Sequence, residues 1–207
     1  MSLSKLKQVA VSLMAVGVLT ACGSNTDKII ETIATQVQTD EAVVVQLQET
    51  MTQQADFMEA FEDLLKDAAK KYEKVEDVLA DMKTEAGALK AAFETAQGSL
   101  VLTEGDEEKL SKLLAKSEKE EGYETVSTLV SAYQAYKTNL EKLSADNVEL
   151  MTTYESFLGE MSGDMPFQTL ENLIGSLNES LTKVQTTYEA YTEAATQFQT
   201  LLTQTQN

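Results

Sequence analysis

Between Ile30 and Ala96, positions spaced alternately three and four residues apart are almost all apolar, and no other feature of the chain restricts its fold so tightly. The run is Ile30, Ile33, Val37, Asp40, Val44, Leu47, Met51, Gln54, Met58, Phe61, Leu65, Ala68, Tyr72, Val75, Leu79, Met82, Ala86, Leu89, Phe93 and Ala96. Eighteen of these twenty sites are apolar or Tyr, and Asp40 and Gln54 are the exceptions. A period of 3.5 is the signature of a helix that keeps one stripe turned toward supercoiling partners. No proline interrupts the run and Gly87 is its only glycine. The pattern predicts one unbroken helix over about 27-97, roughly 100 Å long at about 1.5 Å per residue.

Two more helices follow. Thr103-Glu104-Gly105-Asp106 has the spacing of a capping box, and Leu110, Leu113 and Leu114 begin a new apolar stripe. The stripe lapses over Ser117 to Gly122 and resumes from Val126 through Tyr133, Tyr136, Leu140, Asn147, Leu150 and Tyr154 to Met161. Gly163, Asp164 and Pro166 mark a turn, and a third stripe runs from Phe167 to Leu202. The expected fold is all-α: an elongated antiparallel three-helix coiled-coil bundle with helices at about 27-97, 104-162 and 166-204. The third helix is too short to reach the first turn, so a two-helix distal tip is expected around residues 100 to 123. At the other end, residues 27 to about 40 are expected to lack a partner inside the bundle. Gln54 and Asn147 are polar sites in facing stripes, and antiparallel level counting brings them within one turn. They are expected to form a buried polar pair that fixes register, with Asp40 at the solvated end.

The N-terminus carries an address. Lys5 and Lys7 precede an apolar stretch from Val9 to Leu19. That stretch is too short to cross a membrane and has the layout of an export signal. Leu19-Thr20-Ala21-Cys22 resembles the bacterial lipobox, whose cysteine is acylated. Cys22 is the only cysteine in the chain, so it has no internal disulfide partner. Attachment of two acyl chains, palmitate among them, would hold a protein stably at a membrane. The expected division is a lipoprotein signal peptide at 1-21, a lipidated tether at 22-26 and a helical rod at 27-207.

Charge and composition exclude several kinds of function. The net charge is −18, and loss of the first 21 residues leaves 14 Lys against 34 acidic residues, a net charge of −20. Nucleic acid is therefore not an expected partner, because counterion displacement needs clustered cations. The absence of His removes the imidazole base and the His metal ligand, and one cysteine cannot make a thiolate zinc site. The acidic runs Glu104 to Glu108 and Glu118 to Glu121 lack the spacing of a calcium loop and read as solvated helix faces. No catalytic residue, metal site or cofactor is expected, and the chain does not read as an enzyme. Tyr133, Tyr136, Tyr154, Tyr188 and Tyr191 lie on the stripes and are expected to pack in the core.

These features together resemble the YkyA-like family of cell-wall-binding lipoproteins of Gram-positive bacteria. The resemblance rests on Leu19-Thr20-Ala21-Cys22, on Tyr133-Gln134-Ala135-Tyr136-Lys137, and on the pattern from Leu140 through Tyr154. Leu170-Glu171-Asn172-Leu173 and Tyr188-Glu189-Ala190-Tyr191 add to it. It implies a long helical rod, lipid-anchored on the extracytoplasmic face of the cell membrane and associated with the cell wall. This chain departs from the family in its acidity, which opposes direct ionic contact with anionic wall polymers. The expected function is thus a non-enzymatic surface protein, a spacer or binding module whose partners are the membrane, through Cys22, and a wall polymer or envelope protein. Two other readings stay open. One is an accessory subunit that docks an envelope protein through a helical tip, and the other is a precursor whose signal segment yields a signalling peptide.

Overall fold

A computed structural model describes residues 23–68, 72, 75–100 and 104–205. Among these residues the chain forms five helices: α1 (Asn25–Ala68), α2 (Glu76–Leu100), α3 (Glu104–Ser117), α4 (Tyr123–Glu160) and α5 (Phe167–Thr205). The sequence expectation fails most clearly at the first helix. It is two helices, α1 and α2, and they pack against each other. Neither glycine nor proline marks the reversal. Lys66 lies in the last turn of α1, where Asp63 pairs with it, and Glu76 and Asp77 lie in the first turn of α2. Lys66, Glu76 and Asp77 each oppose the end of their own helix dipole, which favours two termini over one continuous helix. Folding back also buries two apolar stripes that a single rod would have left to other partners.

The path follows from the cross-contacts. The ammonium of Lys137 bonds the carboxylate of Asp40, and the Gln54 amide reaches the sulfur of Met151; both pairs are 97 residues apart. A constant offset means that α1 and α4 run parallel. Ser144 donates to the carbonyl of Phe93 and Lys90 meets Glu155, so α2 runs antiparallel to α4. Contacts of Thr153 with Ser180 and Asp146 with Thr187 make α5 antiparallel to α4 as well. The chain therefore goes up along α1, down along α2 and then α3, up along α4 and down along α5. α4 is the hub, packed on each of the other helices. This explains why Tyr133, Tyr136, Leu140, Asn147, Met151, Phe157 and Leu158 are all fully buried.

Two further expectations change with this topology. Residues 27 to 40 are not unpartnered: Ile29, Ile33 and Val37 are buried, and α3 covers this part of α1. The polar lapse at residues 117 to 122 is not the base of an uncovered two-helix tip. It is the turn between α3 and α4, where Gly122 takes a φ of 84° that a side chain would strain. The third-helix boundaries and the turn before them match the sequence reading closely. Pro166 precedes α5, and its carbonyl accepts the Leu170 N–H at 3.1 Å.

Candidate functional site

The two ends of the bundle differ in construction. At the lower end the chain enters through Gly23 and Ser24. The Ser24 hydroxyl accepts the Asp27 N–H at 3.0 Å, and the Asp27 carboxylate approaches the Ser24 N–H at 3.4 Å. This is a capping box, with Ser24 as the cap of α1. Asn25 and Thr26, read from sequence as tether, thus belong to the first turn of α1. A second clamp comes from the α3–α4 turn. The Glu120 carboxylate accepts the N–H groups of Asn25 at 2.9 Å and Thr26 at 3.0 Å, and the Asn25 side-chain amide at 2.5 Å. Leu19, Thr20, Ala21 and Cys22 lie outside the described residues, but the chain that follows them is fastened here.

The bonds from Thr26 and Asn25 hold the Glu120 carboxyl below its ordinary value. Its stabilising contribution is therefore full above the unfolded value of 4.5 and is lost as pH falls through the lower folded value. Protection of the amides at residues 25–30, taken relative to the intrinsic exchange rate at each pH, should fall on acidification through that range. In Glu120→Ala it should be low at every pH, and unchanged protection in that variant would show that the clamp contributes nothing.

At the upper end, the Tyr72 hydroxyl donates to the carbonyl of Met161 at 2.8 Å. Gly163 lies so close that a Cβ there would come within 3.1 Å of the Tyr72 ring. The α4–α5 turn is thereby seated on the end of the α1–α2 pair. Beside it, Phe167 is 73% exposed and Ile174 40% exposed, the apolar start of α5.

The buried polar groups lie between these ends. Gln54 and Asn147 are both buried, but they do not bond each other. Gln54 donates to Met151 Sδ at 3.5 Å, while the Asn147 amide donates to Leu143 O at 2.8 Å within its own helix. With α1 parallel to α4, Asn147 sits one turn below the level of Gln54, and its Oδ1 has no protein partner. The polar link that does join the helices is one the sequence reading missed. Asp40 and Lys137 are 5% and 2% exposed, with Oδ2 and Nζ 2.6 Å apart. Asp40 was expected at the solvated end; α3 and α4 enclose it instead. Burial raises its carboxyl above the ordinary value, with the attraction of Lys137 pulling the other way. The buried Tyr133 hydroxyl has no protein partner either, the Tyr136 hydroxyl has that of Tyr191 beside it, and burial pushes both up. The available signal was Lys137 itself, a lysine directly after two stripe tyrosines.

Farther up the α4–α5 face, Asp146 accepts the Thr187 hydroxyl at 2.5 Å and meets Lys183 at 3.2 Å, and Lys183 also bonds Glu149. Among the described residues no group of three or more His, Cys, Asp or Glu could hold a metal ion, and no helix is long and apolar enough to cross a membrane. The grooves along α5 and beside α1 line mostly with Lys, Glu, Thr, Gln and Asn, with Tyr188 and Leu113 among them. The arrangement offers surfaces and a fastened end. No family model, curated protein or solved structure matches the chain.

Proposed function

We propose that this chain is a non-enzymatic, lipid-anchored envelope protein held at the extracytoplasmic face of the membrane through Cys22, its helical bundle acting as a spacer or binding module. The observation that carries this reading is the lower end. The residue after Cys22 is the first of a segment fastened to Glu120, so a lipid on Cys22 would attach at one end of the bundle. From there α1, at 44 residues, extends about 65 Å at about 1.5 Å per residue, which suits a spacer. The 3.5-residue period supports coiled-coil packing along α1, α4 and α5. The YkyA-like resemblance supports a place at the cell wall. The net charge of the anchored form favours an uncharged polymer or a protein surface over an anionic one.

The test is Cys22→Ala. The variant should leave the membrane fraction or stay unprocessed, whereas the parent chain is processed and membrane-bound. A variant that is still processed and fully retained at the membrane would overturn the anchor. Sedimentation of the purified protein with wall sacculi, compared with capture of envelope proteins, then separates a wall module from an accessory subunit.

A further inference from the structure

Lys137 is the only lysine buried among the described residues, and its amine meets the Asp40 carboxyl at 2.6 Å. Tyr133 and Tyr136, both fully buried, fill the preceding turn of α4. Tyr133 stands one turn before Lys137 on the same face, and its hydroxyl has no protein partner. A second carboxylate is near. Lys109 and Leu113 of α3 share a groove with Thr32 and Gln36 of α1. The two helices run antiparallel, so one turn farther along Asp106 comes about level with Asp40. The charge of Asp106 acts on both Asp40 and Tyr133.

An amine and a carboxyl group that meet in water stay ionised and do not condense. A buried, oriented pair differs in two ways. Burial penalises both charges, so passing one proton across to give amine and acid costs less than in water. Fixed contact also replaces collision, and well-oriented neighbours react as though present at about 10⁵–10⁸ M.

We infer that Asp40 and Lys137 are the two halves of an intramolecular isopeptide bond that cross-links α1 to α4. The step is a condensation with no change of oxidation state. One proton passes from the Lys137 ammonium to the Asp40 carboxylate. The Nζ lone pair then adds to Cγ and a Cγ–O bond breaks. The oxygen departs as one water, carrying the proton already received and a second from Nζ, and the amide keeps the third. Asp106 is placed to carry the second proton. The Tyr133 hydroxyl is placed to donate to the oxygen that turns negative as the amine adds. The bond spans 97 residues of sequence and ties α1 to the hub of the bundle. A load applied at Cys22 would then reach α4 through a covalent link; that benefit rests on the anchoring reading, but the bond does not. Stability of the ion pair is a property of the chain before it links.

Tryptic digestion of the folded full chain reads the bond directly, because trypsin does not cut after an acylated lysine. The expected product is peptide 29–66 joined to peptide 120–142, lighter than the two together by one water. Lys137→Arg keeps the charge and should give separate peptides only. Chain kept unfolded in urea should stay unlinked and should link after refolding. Asp106→Asn and Tyr133→Phe preserve the shape of the site, and each should slow linkage after refolding at least about tenfold with unchanged helix content. Asp106→Glu should recover most of the rate. Folded chain in which separate peptides account for all the material at every time would overturn the bond, as would a branched peptide formed equally in unfolded chain. Linkage at the parent rate in both Asp106→Asn and Tyr133→Phe would overturn the assigned proton and hydroxyl roles. The peptide readout does not involve Cys22, so failure of the bond and failure of the anchor are told apart.

Discussion

Lys137→Met should destabilise the bundle by about 3–5 kcal/mol at neutral pH, the cost of leaving a buried charge without its partner. Asp40 and Lys137 meet at 2.6 Å on parallel helices with little of either side chain exposed. Removing the ammonium strands a carboxylate beneath α3, with Asp106 the other nearby charge and the Tyr133 and Tyr136 rings beside it. The penalty should shrink on acidification. The Asp40 carboxyl is already raised above 3.8 by burial, so the fold takes up its proton more readily than the unfolded chain does. The contribution of such a group is full below the unfolded value and is lost as pH rises through the folded one. The double variant Asp40→Leu with Lys137→Met should be neutral, or more stable by about 1–4 kcal/mol, because neither desolvation cost remains. Urea denaturation of the four proteins at neutral and mildly acidic pH measures this. A single-variant loss under about 1 kcal/mol would mean that water reaches the pair and that it behaves like a surface salt bridge.

That pair also shows where sequence and structure part company. The 3-4 spacing made helical structure legible along nearly the whole chain, and it placed the starts of α3 and α5 and the turn before Pro166 within a residue or two. The periodicity continues in phase from Leu65 across Tyr72 and Val75 to Leu79, so hydrophobic spacing alone could not reveal the reversal between α1 and α2. A stripe says that one face is buried and is silent about which helix buries it. Once the reversal is missed, every level count inherits the wrong direction. Asn147 was set opposite Gln54 on an antiparallel partner, whereas α1 and α4 run parallel with a fixed offset. The counting still brought the two within about a turn, because helices of comparable length have overlapping middles.

Glu120 was hidden for a different reason. It sits in a run of four charged residues that reads as solvated, and nothing local shows that one of the four caps the first turn of α1. Caps supplied from distant sequence leave no trace in spacing. Legibility was best for what each helix does by itself and poorest for what one helix does to another.

Phe61→Ala should cost about 3–5 kcal/mol, the usual range for emptying a buried aromatic site. Phe61 is buried where α1 faces α4 near the upper end, and its ring stands edge-on to Tyr154 at 4.9 Å and to Phe157 at 5.1 Å between centroids. Phe57 completes the group, 6.5 Å from Phe61 and 5.1 Å from Tyr154. Such aromatic pairs contribute about 0.5–1.5 kcal/mol each beyond the area they bury, so one truncation removes several contacts together. Burial raises the Tyr154 phenol, which stays neutral through ordinary pH and behaves as a core ring. The loss should also be local. Met161 follows Phe157 by one turn and accepts the Tyr72 hydroxyl, so the seat of the α4–α5 turn lies directly above the cluster. Exchange at residues 154–165 should therefore accelerate more than exchange at residues 25–30, which the Glu120 clamp holds at the far end. Uniform acceleration along the bundle would show a single cooperative unit, and a loss below about 1 kcal/mol would show that the four rings do not pack as described.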